Sequence, residues 1–272
     1  MTDKEQTMNE KVLVVGVGEI GGPLLEILRS RYQAYGLDIK PDPEIPPCEI
    51  MHLCFPFDGE NFIRHSVRYI ETYRPSLTII NSTVAPGTTR RIGLESKTDV
   101  ANSPVLGKHA RMKQEMLQYT KFIGALTREA GQRAAQHFAN VGIKTRVVDS
   151  PETSELAKLT ETTYFGVLIA WAQEVERYCK DLGTNYDEVV SFYEEIGYLP
   201  RVKFFPGNIG GHCVLPNIKI LKTLFKSGLL EAIEKSNDLK RLGLGTAGWE
   251  KPNGEAHATP VVRVSGMPVA AP

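Results

Sequence analysis

Residues 11–21 read KVLVVGVGEIG. The run VLVV is apolar at every position, the pattern of a central strand buried on both faces. Gly16-Val17-Gly18-Glu19-Ile20-Gly21 follows at once as GxGxxG, and PLLEILRSRY after it reads as a helix. Asp38 closes the next strand, AYGLD. Strand, glycine turn, helix and a following acidic residue form the context in which this motif carries a mechanism. Gly16 permits the tight turn, Gly18 lets the backbone approach a pyrophosphate, and Gly21 lets the helix pack on the strand. The helix N-terminus, with Glu19 and Ile20 in the turn before it, offers unpaired N–H groups to the phosphates. Asp38 accepts hydrogen bonds from ribose hydroxyls and repels a 2′-phosphate, so the expected cofactor is NAD rather than NADP.

Outward from this stretch, strand and helix alternate to about residue 149. IMHLCFPF from Ile50 and SLTIINSTV from Ser76 read as core strands, the second running into the turn APGTT. Between them ENFIRHSVRYIETY has helical spacing through Phe62, Val67 and Ile70. DVANSP, KFIGAL and TRVVD are shorter strands, the last two separated by the helix TREAGQRAAQHFANVG. The pattern predicts an α/β fold with a Rossmann-type, doubly wound, mostly parallel sheet. Phe55, Pro56 and Ser82 are further expected cofactor contacts.

After residue 149 the pattern changes. Ser150 suits a helix cap, Pro151 the first position and Glu152 the first turn. Gly166 is the one breaker before Gly183. A helix of about thirty residues is roughly 45 Å long. Its middle, YFGVLIAWA, is apolar on nearly every side, so it is covered by neighbours or by a second subunit. A homodimer through Tyr164 to Ala172 is the expectation. Further helices are expected in NYDEVVSFYEEIG and IKILKTLFKSGLLEAIEKSNDLKRL, on either side of the glycine-rich PGNIGGHCVLPN. Three units follow: 1–149 for the dinucleotide, 150–240 as a helical domain with the long central helix and a cysteine loop, and 241–272 as a Gly/Pro/Ala-rich tail.

The 272 residues carry 32 Lys plus Arg against 32 Asp plus Glu. That balance gives no general attraction to nucleic acid or to an anionic membrane, and neither is expected as a partner. The expected partner is a small-molecule substrate. Residues 1–11 are polar, with no apolar signal core, and the chain has no apolar run of about 20 residues, so a cytoplasmic protein is expected. Cys48, Cys54, Cys179 and Cys213 show no metal-binding spacing, and no metal is expected.

Three further segments point to one family. IINSTVAPGTT, SELAKLTETTYFGVLIAWAQEVERYCKDLG and PGNIGGHCVLPN resemble, in order, segments of the UDP-glucose and UDP-N-acetylmannosamine 6-dehydrogenases. With the glycine turn, the resemblance covers roughly residues 11–225. It implies NAD-dependent hydride transfer from a sugar alcohol, then addition of a cysteine to the aldehyde, a second oxidation to a thioester, and hydrolysis. Cys213 matches the nucleophile, Lys158 the lysine that stabilises the oxyanion, and Thr83 the threonine beside the nicotinamide. His212 would hold the loop or tune the thiol, and Asn208, Gly210 and Gly211 would let substrate approach. Lys158 and Thr162, four apart on a helix, share one face. Without the resemblance, Lys158 reads as a solvated charge and Cys213 as a small hydrophobe, although Gly-Gly-His-Cys is a poor way to build core.

Four departures from the family pattern bear on chemistry. Its asparagine four residues after the lysine is Thr162 here, and its aspartate four residues after the cysteine is Asn217. The fifth-strand loop reads Ser103-Pro104-Val105 where the family has a glutamate that activates water. The chain is expected to lack the second Rossmann-like domain that holds UDP in the family. Each general acid or base typically supplies about two to four orders of magnitude, so their joint loss argues against efficient four-electron oxidation. A new basic cluster, Gly107-Lys108-His109-Ala110-Arg111, offers Lys108 and His109 to an anionic group on a different substrate. Two alternatives stand beside an altered nucleotide-sugar dehydrogenase. One is a degenerate, NAD-binding, non-catalytic regulatory or assembly subunit. The other is a two-electron dehydrogenase of the 6-phosphogluconate type.

Overall fold

The computed structural model describes residues 8–38, 44–107, 111–197, 206–210 and 213–244. Seven strands form one sheet: β1 Met8–Val15, β2 Tyr32–Leu37, β3 Ile50–Leu53, β4 Leu77–Ile80, β5 Asp99–Asn102, β6 Lys121–Ala125 and β7 Thr145–Val148. Their order is β2-β1-β3-β4-β5-β6-β7, parallel throughout except for the antiparallel pair β5 and β6. The expected Rossmann-type α/β fold is present.

Register positions the site. Val15 pairs with Leu37 and Leu53, Leu53 with Ile80, and Ile80 with Asn102. The residues that follow, Gly16, Cys54, Asn81 and Ser103, extend the ladder one step through their amides at 2.7–2.8 Å. Five strands therefore end on one line. The chain leaves β1 toward β2 on one side and crosses to β3 on the other, so a crevice opens at the β1/β3 switch point.

The alternation within β1 divides two cores. Val12 and Val14 face helices α1 Gly21–Leu28, α4 Met112–Gln118 and α5 Arg128–Ala139, packing with Leu24, Leu28, Met116 and Phe138. Leu13 and Val15 face α2 Glu60–Tyr73 and α3 Thr88–Ser96, packing with Phe62, Ile70 and Ile92. Then comes α6, Pro151–Leu182, capped by Ser150 Oγ accepting from the Thr153 amide and closed by Gly183 in the left-handed region. Helices α7 Tyr186–Glu194, α8 Val214–Lys222 and α9 Gly228–Leu242 complete the described chain. Leu159 of α6 shares a third core with Ile209, Val214, Ile218, Leu221, Leu230 and Ile233. Among the described residues, no helix is long and apolar enough to cross a membrane.

Several elements differ from the sequence expectation. The strands from Ile50 and Ser76 end at Leu53 and Ile80, because the chain turns outward there to build the crevice. Helices α3 and α4 were not anticipated. The glycine-rich segment ends sooner than expected, since Val214 already opens α8 and Pro216 sits in its first turn, where a missing N–H costs nothing.

Candidate active site

A cleft of about 950 Å³ lies over the carboxyl ends of β1, β3 and β4. At one end it is lined by Gly16, Gly18, Glu19, Ile20 and Asp38, and across from them by Phe55, Pro56, Phe57, His65, Arg68 and Tyr69. At the other end stand Ser82, Thr83, Val105, Met112, Lys158, Cys213, Asn217 and Ile220.

The glycine end fits a dinucleotide. Gly16 has φ +88°, and a Cβ there would lie 2.9 Å from the Phe55 amide nitrogen. A Cβ on Gly21 would lie 1.8 Å from the Gly16 carbonyl oxygen, so helix and turn approach as closely as backbone allows. Gly18 instead faces open space, with nothing within 4 Å of its Cβ position. That is a cradle with room for a pyrophosphate at the N-terminus of α1. Asp38 is exposed at the rim beyond β2, where a ribose hydroxyl would reach it. Phe55 stacks near Phe62 at 4.6 Å, and the Ser82 hydroxyl donates to the Phe55 carbonyl at 2.6 Å. The loops after β3 and β4 thus support each other.

The other end depends on α6. Gly166 lets Val214 approach so closely that a Cβ would lie 2.6 Å from Val214 Cγ1. This contact seats the first residue of α8 on α6 and places Cys213, exposed at the N-terminus of α8, over the same cleft as Lys158. Lys158 is largely buried, its side chain 15% exposed, and pairs with Glu161 at 3.1 Å. Glu155, on the same helix, is fully buried and holds the N-terminus of α3: it accepts from the Gly87 amide at 2.7 Å, the Thr89 amide at 2.9 Å and the Thr89 hydroxyl at 2.6 Å. Burial pushes its carboxyl up to about 7, and the three hydrogen bonds act the other way. The APGTT turn after Thr83 is fixed by this clamp.

Most of the expected site residues meet in this cleft. Thr162 does not line it: its hydroxyl donates to the Lys158 carbonyl and to Glu161, both at 3.1 Å. Asn208 and Gly210 do not line it either, since their loop is tied to α6 and α9 by Gln173 and Asn237. Gly21 packs beneath the turn rather than on the cleft wall. Lys108, His109, Gly211 and His212 lie outside the described residues. Arg111, the last of the basic cluster, pairs with Glu115 at 3.0 Å. Cys54 stands past β3, half-buried on the cleft wall, and burial pushes its thiol up to about 12. His65, Arg68 and Tyr69 were missed; they project from α2, which the sequence revealed only by its buried face.

Among the described cleft residues, the carboxylates are Glu19 and Asp38, both at the glycine end. Val105, Met112, Lys158, Pro216, Asn217 and Ile220 line the same cleft as Cys213. Among the described residues, no cluster of His, Cys, Asp or Glu could hold a metal ion.

Residues 152–239 match the central domain of the UDP-glucose/GDP-mannose dehydrogenase family. The chain is 27% identical over 209 residues to a UDP-N-acetyl-D-mannosamine dehydrogenase of Methanococcus vannielii, an alignment covering 70% of this chain and 48% of the relative. It is 31% identical over 198 residues to the Pyrococcus horikoshii protein of the same name, covering 60% and 46%. The solved structure of UDP-D-ManNAc dehydrogenase from Pyrococcus horikoshii superposes with a TM-score of 0.74 at 21% identity, over 86% of this chain and 69% of that one. The chain spans about half the length of the curated relatives it matches.

Proposed function

We propose that this chain, a relative of the nucleotide-sugar dehydrogenases that carries their central domain at residues 152–239, is an NAD-dependent oxidoreductase acting on a CH–OH group of an altered, sugar-like substrate. The observation that carries this reading is one cleft lined by both the glycine cradle and the set Thr83, Lys158 and Cys213. The turn at Gly16–Ile20 and the N-terminus of α1 would hold the pyrophosphate, and Asp38 the adenosine ribose. When bound, NAD supplies a hydride acceptor.

The chain's own residues supply the rest. The Lys158 ammonium stabilises negative charge that develops on the substrate oxygen, and its low exposure strengthens that interaction. The Cys213 thiol can add to an aldehyde carbon: an S–C bond forms and the thiol proton passes to the carbonyl oxygen. Thr83 closes the wall between the two ends. Hydrolysis of a thioester needs a base at the reactive end, and neither Val105 nor Asn217 can take a proton from water. The reaction that suits this wall is the reversible two-electron step.

A homodimer through the outer face of α6 is part of the proposal, since large aromatic side chains stand exposed along it.

Calorimetric titration with NAD and NADH tests the reading, each with and without UDP-glucose or UDP-N-acetylmannosamine. Binding of both dinucleotides, indifferent to these two sugars, is the expected result. Binding strengthened by a UDP-sugar would restore the relatives' substrate, and absence of dinucleotide binding would overturn the proposal.

A further inference from the structure

Lys121 sits where a lysine is costly. It opens β6 and is 4% exposed. Its Nζ donates to Asn81 Oδ1 at 3.0 Å, to Ser103 Oγ at 3.2 Å and to the Ser103 carbonyl oxygen, and stands 4.8 Å from the centroid of the Phe138 ring. Asn81 and Ser103 are the first residues beyond β4 and β5. They lead directly into Ser82 and Thr83 on one side and Val105 on the other, all on the cleft wall.

We infer that Lys121 is a positioning residue for the reactive end of the cleft: its ammonium ties the loop after β4 to the loop after β5 and so sets Ser82, Thr83 and Val105. The inference rests on the dinucleotide reading of that cleft.

A polar chain behind Lys121 fixes the orientation of its main acceptor. Because Asn81 Oδ1 accepts from Lys121, Asn81 Nδ2 faces His52 Nδ1 at 3.1 Å and donates to it. His52 then carries its proton on Nε2 and donates to His137 Nε2 at 2.9 Å, which leaves the His137 proton on a buried Nδ1 without a partner among the described residues. Flipping the Asn81 amide would turn its NH2 group onto the Lys121 ammonium and lose its bond to the Ile79 carbonyl. Lys121 also borders a small void shared with Glu115 and Tyr119.

The titratable groups facing Lys121 are His52 from β3, Cys54 from the loop after it, His137 from α5, and Glu115 and Tyr119 from α4 and its end. Burial holds His52 well below its ordinary range and His137 near 3, so both are neutral. Cys54 is held as the thiol. Glu115 pairs with Arg111. Burial pulls Lys121 itself down to about 7. An ammonium offers three N–H groups to three acceptors, whereas a neutral amine offers two. Loss of the proton turns charge-assisted hydrogen bonds into weaker neutral ones, with the Ser103 hydroxyl free to donate to the amine lone pair, and so loosens the tie between the two loops.

The test uses the full chain and Lys121→Met, with two readouts. NADH affinity is measured by calorimetry from about pH 6 to about pH 8.5, a range that brackets neutrality. Wild type is expected to weaken by roughly fivefold across it, the factor one net hydrogen bond is worth. Lys121→Met is expected to bind weakly at every pH, with a flat profile. Hydrogen exchange at the Asn81 and Ser103 amides, corrected for intrinsic rate, needs no cofactor. These amides bond the Leu53 and Ile80 carbonyls, and they are expected to exchange faster in Lys121→Met and in wild type above neutrality. A folded Lys121→Met, or Lys121→Gln if the methionine variant does not fold, that keeps wild-type NADH affinity and wild-type protection of both amides would overturn the inference. Wild type that binds no dinucleotide would remove the cofactor reading, and the exchange data would still decide the role of Lys121.

Discussion

Glu155 carries more of the site's geometry than its position on a long helix suggests. Its carboxylate takes three hydrogen bonds from the start of α3 and so fixes the turn that follows Thr83. Removing it leaves buried donors unmet, and Glu155→Ala should cost about 2 kcal/mol at pH 5, measured by denaturant unfolding. The sign with pH follows from the upward displacement of the carboxyl from 4.5 to about 7. A group held above its unfolded value contributes stability that is complete below about pH 4.5 and lost as pH rises through about 7. The difference between wild type and Glu155→Ala should therefore narrow over that window. A difference that widens would mean the three donors outweigh desolvation. Neither Glu155 nor Lys121 was legible in the sequence, because nothing in SELAK or KFIGAL says which charged side chain turns inward. Cys213, Lys158 and Thr83 were legible, because each sits in a segment whose neighbours make chemical sense only together. Thr162, on the same helix face as Lys158, spends its hydroxyl on the Lys158 carbonyl and on Glu161.

Among the elements, α6 is the most informative. Ser150, Pro151 and Gly183 mark its ends in the sequence, and the structure puts the cap and the left-handed stop at those residues. Its apolar middle, expected to be covered by neighbours or by a second subunit, is divided between a buried and an exposed face. Gly166 and Ala172 face the chain's own helices, whereas Tyr164, Trp171 and Tyr178, each seven residues from the next, are 54%, 47% and 43% exposed. A seven-residue period on one helix is the seam of a coiled-coil-like pair, which is the physical content of the proposed dimer. Sedimentation equilibrium should give a dimer for wild type, and Trp171→Glu should give a folded monomer with little change in thermal stability. A wild-type monomer at tens of micromolar, roughly the range where a weak interface would already fill, would contradict it. The short helices α3 and α4 escaped the sequence reading because neither shows the sustained apolar period that marks α2 or α5. The strand ends escaped it for a different reason: Cys54, Phe55 and Pro56 past Leu53, and Asn81, Ser82 and Thr83 past Ile80, continue the run in sequence but line the cleft.

For the molecule as a whole, one register line explains why these parts meet. Five parallel strands end together, the β1/β3 crossover opens a crevice above them, and α6 brings α8 back across it. The doubly wound sheet was readable from the glycine turn and the alternation of strand and helix that follows it to about residue 149. The meeting of the cysteine with the cofactor end was not, since it depends on a close contact between Gly166 and Val214 that local pattern does not encode. The central claim is that a dinucleotide and Cys213 share one cleft, and thiol labelling tests it most directly. Cys213 is exposed and Cys54 half-buried on the cleft wall, while Cys48 and Cys179 are buried. Alkylation rates at each cysteine, read by mass spectrometry, should fall about tenfold at Cys213 and Cys54 when NADH is present at about ten times its dissociation constant. Cys48 and Cys179 should not respond. Labelling of Cys213 that proceeds at the same rate with NADH bound would contradict the account.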